Sequence, residues 1–219
     1  MVTTNEDGET SSKSRKLCIF VAVHLAVLQQ MCGVNVVVLY GGGIINKAVP
    51  NVTTSKWLQL VLIATQFAAC LGTSLILKKI GRKSLLQLGT LISFVVLTII
   101  GLAFVVMDNN TAQQVLVIVS LYIFMISFGF TLGPVVWLYI PEIVPAIIVP
   151  YTTLSNWAGA SITIILFPIL GTAIGSSGYL FFIFSLWCLL SLGVNHKYVI
   201  ETMGKTERQI KRDFDRLVN

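Results

Sequence analysis

Gln29-Gln30-Met31-Cys32-Gly33-Val34-Asn35 places three amide side chains inside an apolar segment that runs from residue 17 to residue 40. A helix needs about 20 predominantly apolar residues to cross a bilayer, and this segment is long enough. Polar groups in hydrocarbon are costly unless they find partners or line water. The stretch therefore predicts a membrane-spanning helix whose amides lie at a functional cavity.

Five more segments of this kind follow in the 219-residue chain. Hydrophobic residues make up 55% of the chain and charged residues 11%, whereas about 25% of the residues of soluble proteins are charged. Backbone groups that face lipid must be bonded within their own segment, which favours helices, and the alternation expected of a barrel is absent. We predict an all-α membrane protein with a bundle of six transmembrane helices, the other five at residues 57–77, 84–107, 113–140, 151–174 and 179–194.

The basic residues are concentrated at one end of the predicted spans. Six spans bring both chain ends to the same face, and of 15 Lys and Arg residues only Lys47 and Lys56 lie on the opposite face. By the positive-inside rule the basic face is cytoplasmic, or matrix-facing in a mitochondrial membrane. The same residues would attract anionic lipid headgroups. They are spread over loops and form no groove with aromatic side chains, so we expect no nucleic-acid partner.

Composition divides the chain into three parts. Residues 1–16 are polar and are predicted to form a cytoplasmic N-terminal tail or a linker between two halves of a larger molecule, followed by the transmembrane bundle over residues 17–200. Residues 201–219 are predicted to form a cytoplasmic C-terminal tail. In this tail Ile210, Phe214 and Leu217 recur at the spacing of a short amphipathic helix.

The sequence offers no clear arrangement for catalysis or metal binding. His24 and His196 have no acid, nucleophile or metal-binding partner at useful spacing. The four cysteines lie within or at the ends of apolar segments and lack metal-ligand spacing, so we predict packing roles for Cys18, Cys32, Cys70 and Cys188. We expect no metal, no other cofactor and no enzymatic activity.

The three amides of the opening stretch cannot share one face of an ideal helix. Gln29 and Gln30 diverge by about 100°, and Asn35 lies about 140° from Gln30. Either the cavity curves around this segment or the helix distorts. Gly41-Gly42-Gly43 offers a place for such a distortion, or simply for the helix to end, because glycine tolerates unusual backbone angles and weakens helices.

Polar and amphipathic side chains also interrupt the later spans. Gln59 and Gln66 are seven residues apart and therefore face the same way. In the fourth span Pro134 removes a helix hydrogen bond and predicts a kink near Trp137. The fifth span contains Asn156-Trp157 near its start. Amides together with indoles suit a neutral, polyhydroxylated ligand that presents hydroxyls and apolar ring faces.

Four motifs in this order resemble the C-terminal half of a sugar porter of the major facilitator superfamily, over nearly the whole chain. The first is the amide stretch, which matches the pattern Q-Q-x-x-G-x-N. The others are Gly81-Arg82-Lys83, Gly133-Pro134-Val135-Val136-Trp137 followed by Glu142, and Val199-Ile200-Glu201-Thr202-Met203-Gly204, which resembles P-E-T-K-G. The resemblance implies one six-helix half of a major facilitator fold.

The resemblance also implies roles for individual residues. Sugar hydroxyls would be contacted by Gln29, Gln30, Asn35 and Gln66, Trp137 would stack near the sugar ring, and Asn156 and Trp157 would line the same cavity. The first and fourth spans would be gating helices, with Tyr40, Gly41-Gly42-Gly43, Gly133 and Pro134 at the gates. In such transporters two six-helix halves rock about a site near the midplane of the membrane.

Several positions depart from the family pattern. Leu39-Tyr40 stands where two tyrosines are usual, and Lys78 stands where an acid normally precedes Gly81. The cytoplasmic charge network that holds the inward gate shut is therefore expected to be depleted. Glu142 in particular is expected to lack its arginine, because Val149 occupies that position. The closing motif carries Ile200 and Met203 in place of proline and lysine.

Alternating access needs two bundles, so the resemblance leaves several interpretations open. The chain could be half of a transporter for hexose-like neutral sugars, paired with a separately made N-terminal half or with a second copy. It could equally be a part of a longer transporter. Alternatively, it could be a non-transporting structural subunit of a larger membrane complex. Because the proton-coupling acid of such transporters belongs to the other half, both uniport and proton symport remain possible.

Overall fold

The computed structural model describes residues 11–49, 51–107, 111–174 and 177–218. The first ten residues of the predicted N-terminal tail lie outside these ranges. The described residues form nine helices, which are α1 (Ser12–Met31), α2 (Val34–Ala48), α3 (Val52–Ile76), α4 (Arg82–Val106), α5 (Thr111–Phe130), α6 (Leu132–Ile143), α7 (Val149–Ile174), α8 (Ser177–Tyr198) and α9 (Glu207–Val218).

Six stretches of these helices are long and apolar enough to cross a membrane, and they coincide with the six predicted spans. The first span consists of α1 and α2 and the fourth of α5 and α6, while α3, α4, α7 and α8 each form one span. The first span extends beyond residue 40 as far as Asn46. The prediction of a six-helix transmembrane bundle is therefore confirmed.

The first span is broken at Gly33, within the amide stretch. Gly33 has a φ of 81°, a left-handed conformation that favours glycine, and it separates the end of α1 from the start of α2. A Cβ at this position would also lie 3.1 Å from the ring of Phe184. The break falls between Gln30 and Asn35, so the distortion expected from their diverging directions is present.

The expectation that Gly41-Gly42-Gly43 distorts or ends this helix is wrong, because all three residues are inside α2. Packing explains at least one of them. A Cβ on Gly42 would lie 2.5 Å from Oε1 of Gln59, whose amide nitrogen donates to the Gly42 carbonyl at 3.2 Å. This glycine therefore allows a close approach of α2 and α3 and does not mark a bend.

The fourth span is interrupted at Thr131, which has φ −125° and ψ −95°. Pro134 lies three residues later, in the first turn of α6. Backbone N–H groups in the first turn have no acceptor within the helix, so the proline costs α6 no hydrogen bond there. The Thr73 hydroxyl oxygen lies 3.0 Å from the carbonyl oxygen of Gly129 and 3.4 Å from that of Phe130 at the end of α5, so its single proton can be donated to either. The predicted kink is therefore a complete break just before the proline.

The helices differ in how much of their surface the bundle covers. Over the most apolar 18 residues of each span, the buried share is 17% in α3 and 22% in α7, whereas it is 44–61% in the other four spans. Large apolar side chains project from these two helices, among them Trp57, Phe67, Leu154 and Trp157. Much of α3 and α7 is thus available to lipid or to another protein.

Both ends of the described chain lie on one face of the bundle, which we call the terminal face. Helix α9 packs Ile210 and Phe214 against α1 and α6, and the Ser14 hydroxyl at the start of α1 donates to Asp215. Leu217, placed on the same predicted apolar face, is 43% exposed.

The first turns of α9 are stabilised locally. Its start is fixed by reciprocal bonds between Thr206 and Gln209, the pattern of a capping box. A hydrogen bond from Lys211, together with its charge, lowers the pKa of Glu207. These contacts are consistent with the helix predicted in this part of the chain.

Candidate functional site

Four amide side chains from three helices form one hydrogen-bonded group, which we call the amide cluster: Gln29, Gln30, Asn35 and Asn156. The Asn156 nitrogen donates to the Ala26 carbonyl and to Oε1 of Gln29, both at 2.8 Å. The Gln30 nitrogen donates to Oδ1 of Asn156 at 2.8 Å, and Asn35 donates to Oε1 of Gln30. The cluster joins α1, α2 and α7.

Gln29 connects this cluster to the break in the fourth span. Its amide nitrogen donates to the carbonyls of Leu132 and Gly133, each at 2.9 Å, and its oxygen accepts from Asn156. Both N–H groups and the carbonyl oxygen of Gln29 are therefore bonded to protein. The two interrupted spans are linked here by a single side chain.

The other amides retain capacity for a ligand. Gln30 uses one of its two N–H groups, and the half-buried Asn35 has no partner for its carbonyl oxygen among the described residues. Gln66 on α3 is half-buried, and its side chain likewise makes no hydrogen bond within the part of the chain that the structure describes. The indole-bearing residues Trp137 and Trp157 are 39% and 63% exposed.

Gly159 was not predicted as a site residue from the sequence, although the geometry of the cluster depends on it. Gly159 is buried, and a Cβ there would lie 3.3 Å from Cβ of Gln30. Its position three residues after Asn156 places both on one face of α7. A glycine at this spacing from Asn156 could have predicted that α7 packs closely against the helix that carries Gln30.

Tyr40, predicted at a gate, lies near the middle of α2 and points to α7. Its hydroxyl donates to the Ile164 carbonyl at 3.1 Å, and its ring stacks on Phe167 with centroids 5.3 Å apart. Of the other predicted gate residues, Gly133 contributes a carbonyl to Gln29, and Pro134 follows the break in the fourth span.

A second polar group lies on the terminal face and is organised by Glu201. The Glu201 carboxylate accepts from the backbone N–H groups of Arg82 and Lys83 at 2.9 and 3.1 Å, at the N-terminus of α4. It also accepts from the N–H groups of Thr202 and Met203 at 3.0 and 2.9 Å. An anion at a helix N-terminus satisfies free N–H groups and interacts favourably with the helix dipole.

The expectation that Glu142 lacks a basic partner is wrong. Nη2 of Arg82 lies 3.1 Å from Oε1 of Glu142, and the Thr202 hydroxyl donates to Oε2 at 2.6 Å. The arginine comes from α4 and not from the start of α7, where Val149 stands. Arg82, Glu142, Glu201 and Thr202 thus form a connected group, which we call the terminal-face network, despite the substitutions in the closing motif.

Other contacts tie the same segment to the bundle. The Tyr139 hydroxyl donates to the Ile200 carbonyl at 3.0 Å and accepts from the Ile200 N–H at 3.1 Å. Lys83 donates to the His196 carbonyl at 3.0 Å. A cleft of about 600 Å³ lies next to the Arg82–Glu142 pair and extends to Phe214 of α9.

Comparisons with known proteins agree on one family. The family model described as Sugar (and other) transporter matches residues 5–214. The Probable metabolite transport protein CsbC of Bacillus subtilis (strain 168) is 27% identical over 93% of this chain and 45% of its own length. The Putative metabolite transport protein YwtG of the same organism is 34% identical over 86% of this chain and 42% of its own length. The Facilitated trehalose transporter Tret1 of Aedes aegypti is 29% identical over 89% of this chain and 25% of its own length.

Solved structures show the same fold. The major facilitator superfamily proton:xylose symporter XylE, bound to 6-bromo-6-deoxy-D-glucose, superposes with a TM-score of 0.79 at 21% identity, over 90% of this chain and 42% of that one. The inward open conformation of XylE from E. coli gives 0.75 at 21% identity, over 89% and 41%. The fold is therefore one six-helix half of a major facilitator fold, and the chain spans less than half the length of these relatives.

Proposed function

This chain belongs to the sugar (and other) transporter family, whose members are transporters and not enzymes, and from that premise we propose that it is half of a sugar transporter. It would carry hexose-like neutral sugars or polyols by alternating access, together with a second six-helix half. The observation that carries the proposal is the amide cluster, which lies between the breaks of two spans and keeps free hydrogen-bonding groups on Gln30 and Asn35.

The chemistry of the cluster favours a neutral, hydroxylated ligand. Amides offer both donors and acceptors, as a sugar hydroxyl requires, and the cluster itself contains no charged side chain. Two partly exposed tryptophans lie near the cluster along the chain. Trp137 is on α6, four residues after Gly133, whose carbonyl accepts from Gln29, and Trp157 directly follows Asn156 on α7. Among the residues predicted from the sequence, we assign direct sugar contact to Gln30, Asn35 and Gln66, with the indoles against the ring.

A second bundle would complete the pathway. The least covered spans are α3 and α7, and they provide the surface on which that bundle would dock. It could be an N-terminal half in the same or a separate chain, or a second copy of this one. The terminal face would be cytoplasmic, since the basic residues are concentrated there. A non-transporting role was partly motivated by an unpaired Glu142, and that motive is removed by its bond to Arg82.

Changing Asn35 to alanine should weaken hexose binding by roughly tenfold, because about 1.4 kcal/mol, the upper range for a neutral hydrogen bond, corresponds to that factor. The measurement is binding of radiolabelled hexose to the native complex, isolated in mild detergent through a tag on this chain. Gln66→Ala should act in the same direction. Gln87→Ala on α4 is the control, since Gln87 is also half-buried and its side chain makes no hydrogen bond among the described residues. Hexose binding that is absent, or equal in all these proteins, would contradict the proposal.

Purification of the same tagged complex should also identify the partner. We expect a complementary six-helix half, or a second copy, to migrate with this chain in equal amount, because α3 and α7 need a matching surface. Identification by mass spectrometry and cross-linking through Cys70, an exposed residue of α3, would locate the interface. Stoichiometric association with an unrelated membrane complex would instead support the structural-subunit interpretation.

A further inference from the structure

Helix α7 contains a proline at position 168, well inside its length. Proline has no backbone N–H, so the carbonyl four residues earlier, that of Ile164, loses its helical hydrogen bond. In a membrane span no water is available to replace that bond, and an unsatisfied backbone group is costly there. The Ile164 carbonyl therefore needs a donor from another helix.

Tyr40 of α2 supplies this donor. Its hydroxyl lies 3.1 Å from the Ile164 oxygen, and its ring stacks on Phe167, one residue before the proline. Phe167 in turn stacks on Phe184 of α8, with ring centroids 6.3 Å apart. The tyrosine thus fills the gap in α7 with both its hydroxyl and its ring.

Helix α2 is separated from α1 by the break at Gly33, where the direction of α2 relative to α1 can change, and Asn35 at the start of α2 stays bonded to Gln30. Tyr40 is seven residues beyond that break, about two helical turns along α2. At this distance from the break at Gly33, α2 is joined to α7 by the hydrogen bond that the Tyr40 hydroxyl donates to Ile164. Any rotation of α2 away from α7 would break it and leave the Ile164 carbonyl unbonded in hydrocarbon.

A carbonyl at the break of the fourth span is approached by a hydroxyl in the same way, but without a hinge. Phe130 is the last residue of α5, so its carbonyl has no helical donor, and the Thr73 hydroxyl approaches it at 3.4 Å. Thr73 belongs to α3, which is continuous from Val52 to Ile76. The two sites are chemically alike, but at Tyr40 the donor lies on a segment that can move.

We propose that Tyr40 and Pro168 form a latch that sets the position of α2. The proline creates an acceptor that α7 cannot satisfy, and the tyrosine hydroxyl is favoured there as long as α2 lies against α7. Release of α2 is therefore disfavoured until another donor replaces Tyr40. The consequence for gating rests on the proposed function, whereas the latch itself is a property of this chain and needs no sugar.

The test is a double-mutant cycle read by hydrogen–deuterium exchange of the native complex in nanodiscs. Tyr40→Phe removes only the hydroxyl, and we expect exchange of amides 34–48 to rise roughly three- to tenfold, the range for hydrogen bonds between membrane helices. Pro168→Ala restores an N–H that can bond the Ile164 carbonyl. In that background Tyr40→Phe should have little effect on the same amides.

Tyr122→Phe is the matched control. The Tyr122 hydroxyl donates to the Leu58 carbonyl at 2.7 Å, but the residue four positions later is Leu62, so that carbonyl keeps its helical donor. It should leave exchange over 34–48 unchanged. The latch is overturned if Tyr40→Phe has no effect, or has the same effect with and without Pro168. Failure of hexose binding would contradict the proposed function while leaving this result intact.

Discussion

Replacing Asn156 with leucine should lower the free energy of unfolding by about 2–4 kcal/mol. Asn156 is fully buried and makes three hydrogen bonds, to Ala26, Gln29 and Gln30. Its loss leaves Oε1 of Gln29 and an N–H of Gln30 without partners in the interior. A buried group deprived of its partner costs about 1–3 kcal/mol, and three interhelical bonds at about 0.6 kcal/mol each set the lower end.

Unfolding in mixed micelles, followed by tryptophan fluorescence, would measure this change. Gln87→Leu makes the same substitution of amide by alkyl at a half-buried position without a hydrogen bond in the described structure, and it should cost less than about 0.5 kcal/mol. Equal stability of the two variants would show that the amide cluster does not hold α1 and α7 together. In that case the amides would be retained only for ligand contact.

The distribution of transmembrane spans was predictable because the bilayer imposes a simple requirement on sequence. About 20 apolar residues are needed to span it, and the low charge of the six segments meets that requirement. The order of the four motifs was sufficient to indicate the family. The exact use of glycine was harder to foresee. Three consecutive glycines at 41–43 suggested a bend, yet the break is at Gly33, where the left-handed backbone and the contact with Phe184 both require glycine.

One signal in the sequence did point to the correct break. The directions of Gln30 and Asn35 are incompatible on a regular helix, and Gly33 is the one glycine between them. The directions of the amide side chains would therefore have located the distortion better than the run of three glycines did. The break allows Asn35 to reach back and donate to Gln30, a contact that a continuous helix would not bring about.

Contacts between distant segments could not be read from the sequence in the same way. Arg82 and Glu142 are 60 residues apart, and the family pattern directed attention to the substituted position at Val149. Similarly, the family motif predicts that Gln29 contacts sugar, whereas in the structure both of its N–H groups are bonded to carbonyls of α6. Which of two adjacent glutamines is free for a ligand depends on how α1 is rotated, and that is fixed by packing with α6 and α7.

Replacing Gly81 with alanine should destabilise the terminal face by about 2–3 kcal/mol, the second large effect that we expect. A Cβ on Gly81 would overlap the Glu201 carboxylate. The backbone itself tolerates alanine, because φ is −66°. The cost therefore arises from displacing a carboxylate that accepts from four backbone N–H groups. Solvent lowers this cost, because Glu201 is only half-buried. The same micelle titration would measure it, and exchange of amides 199–218 should rise.

A double-mutant cycle distinguishes this mechanism from a general effect of alanine at a helix start. Once Glu201→Ala has removed the carboxylate, Gly81→Ala should cost less than about 0.5 kcal/mol, since no group remains to be displaced. Gly193→Ala is the matched control, because a Cβ there meets nothing within 4 Å and should be neutral or stabilise α8 by up to about 1 kcal/mol. If Gly81→Ala costs the same with and without Glu201, the glycine is not required for the carboxylate. The bonds of Glu142 to Arg82 and Thr202 would then have to be sufficient by themselves to hold α4 against the segment that follows α8.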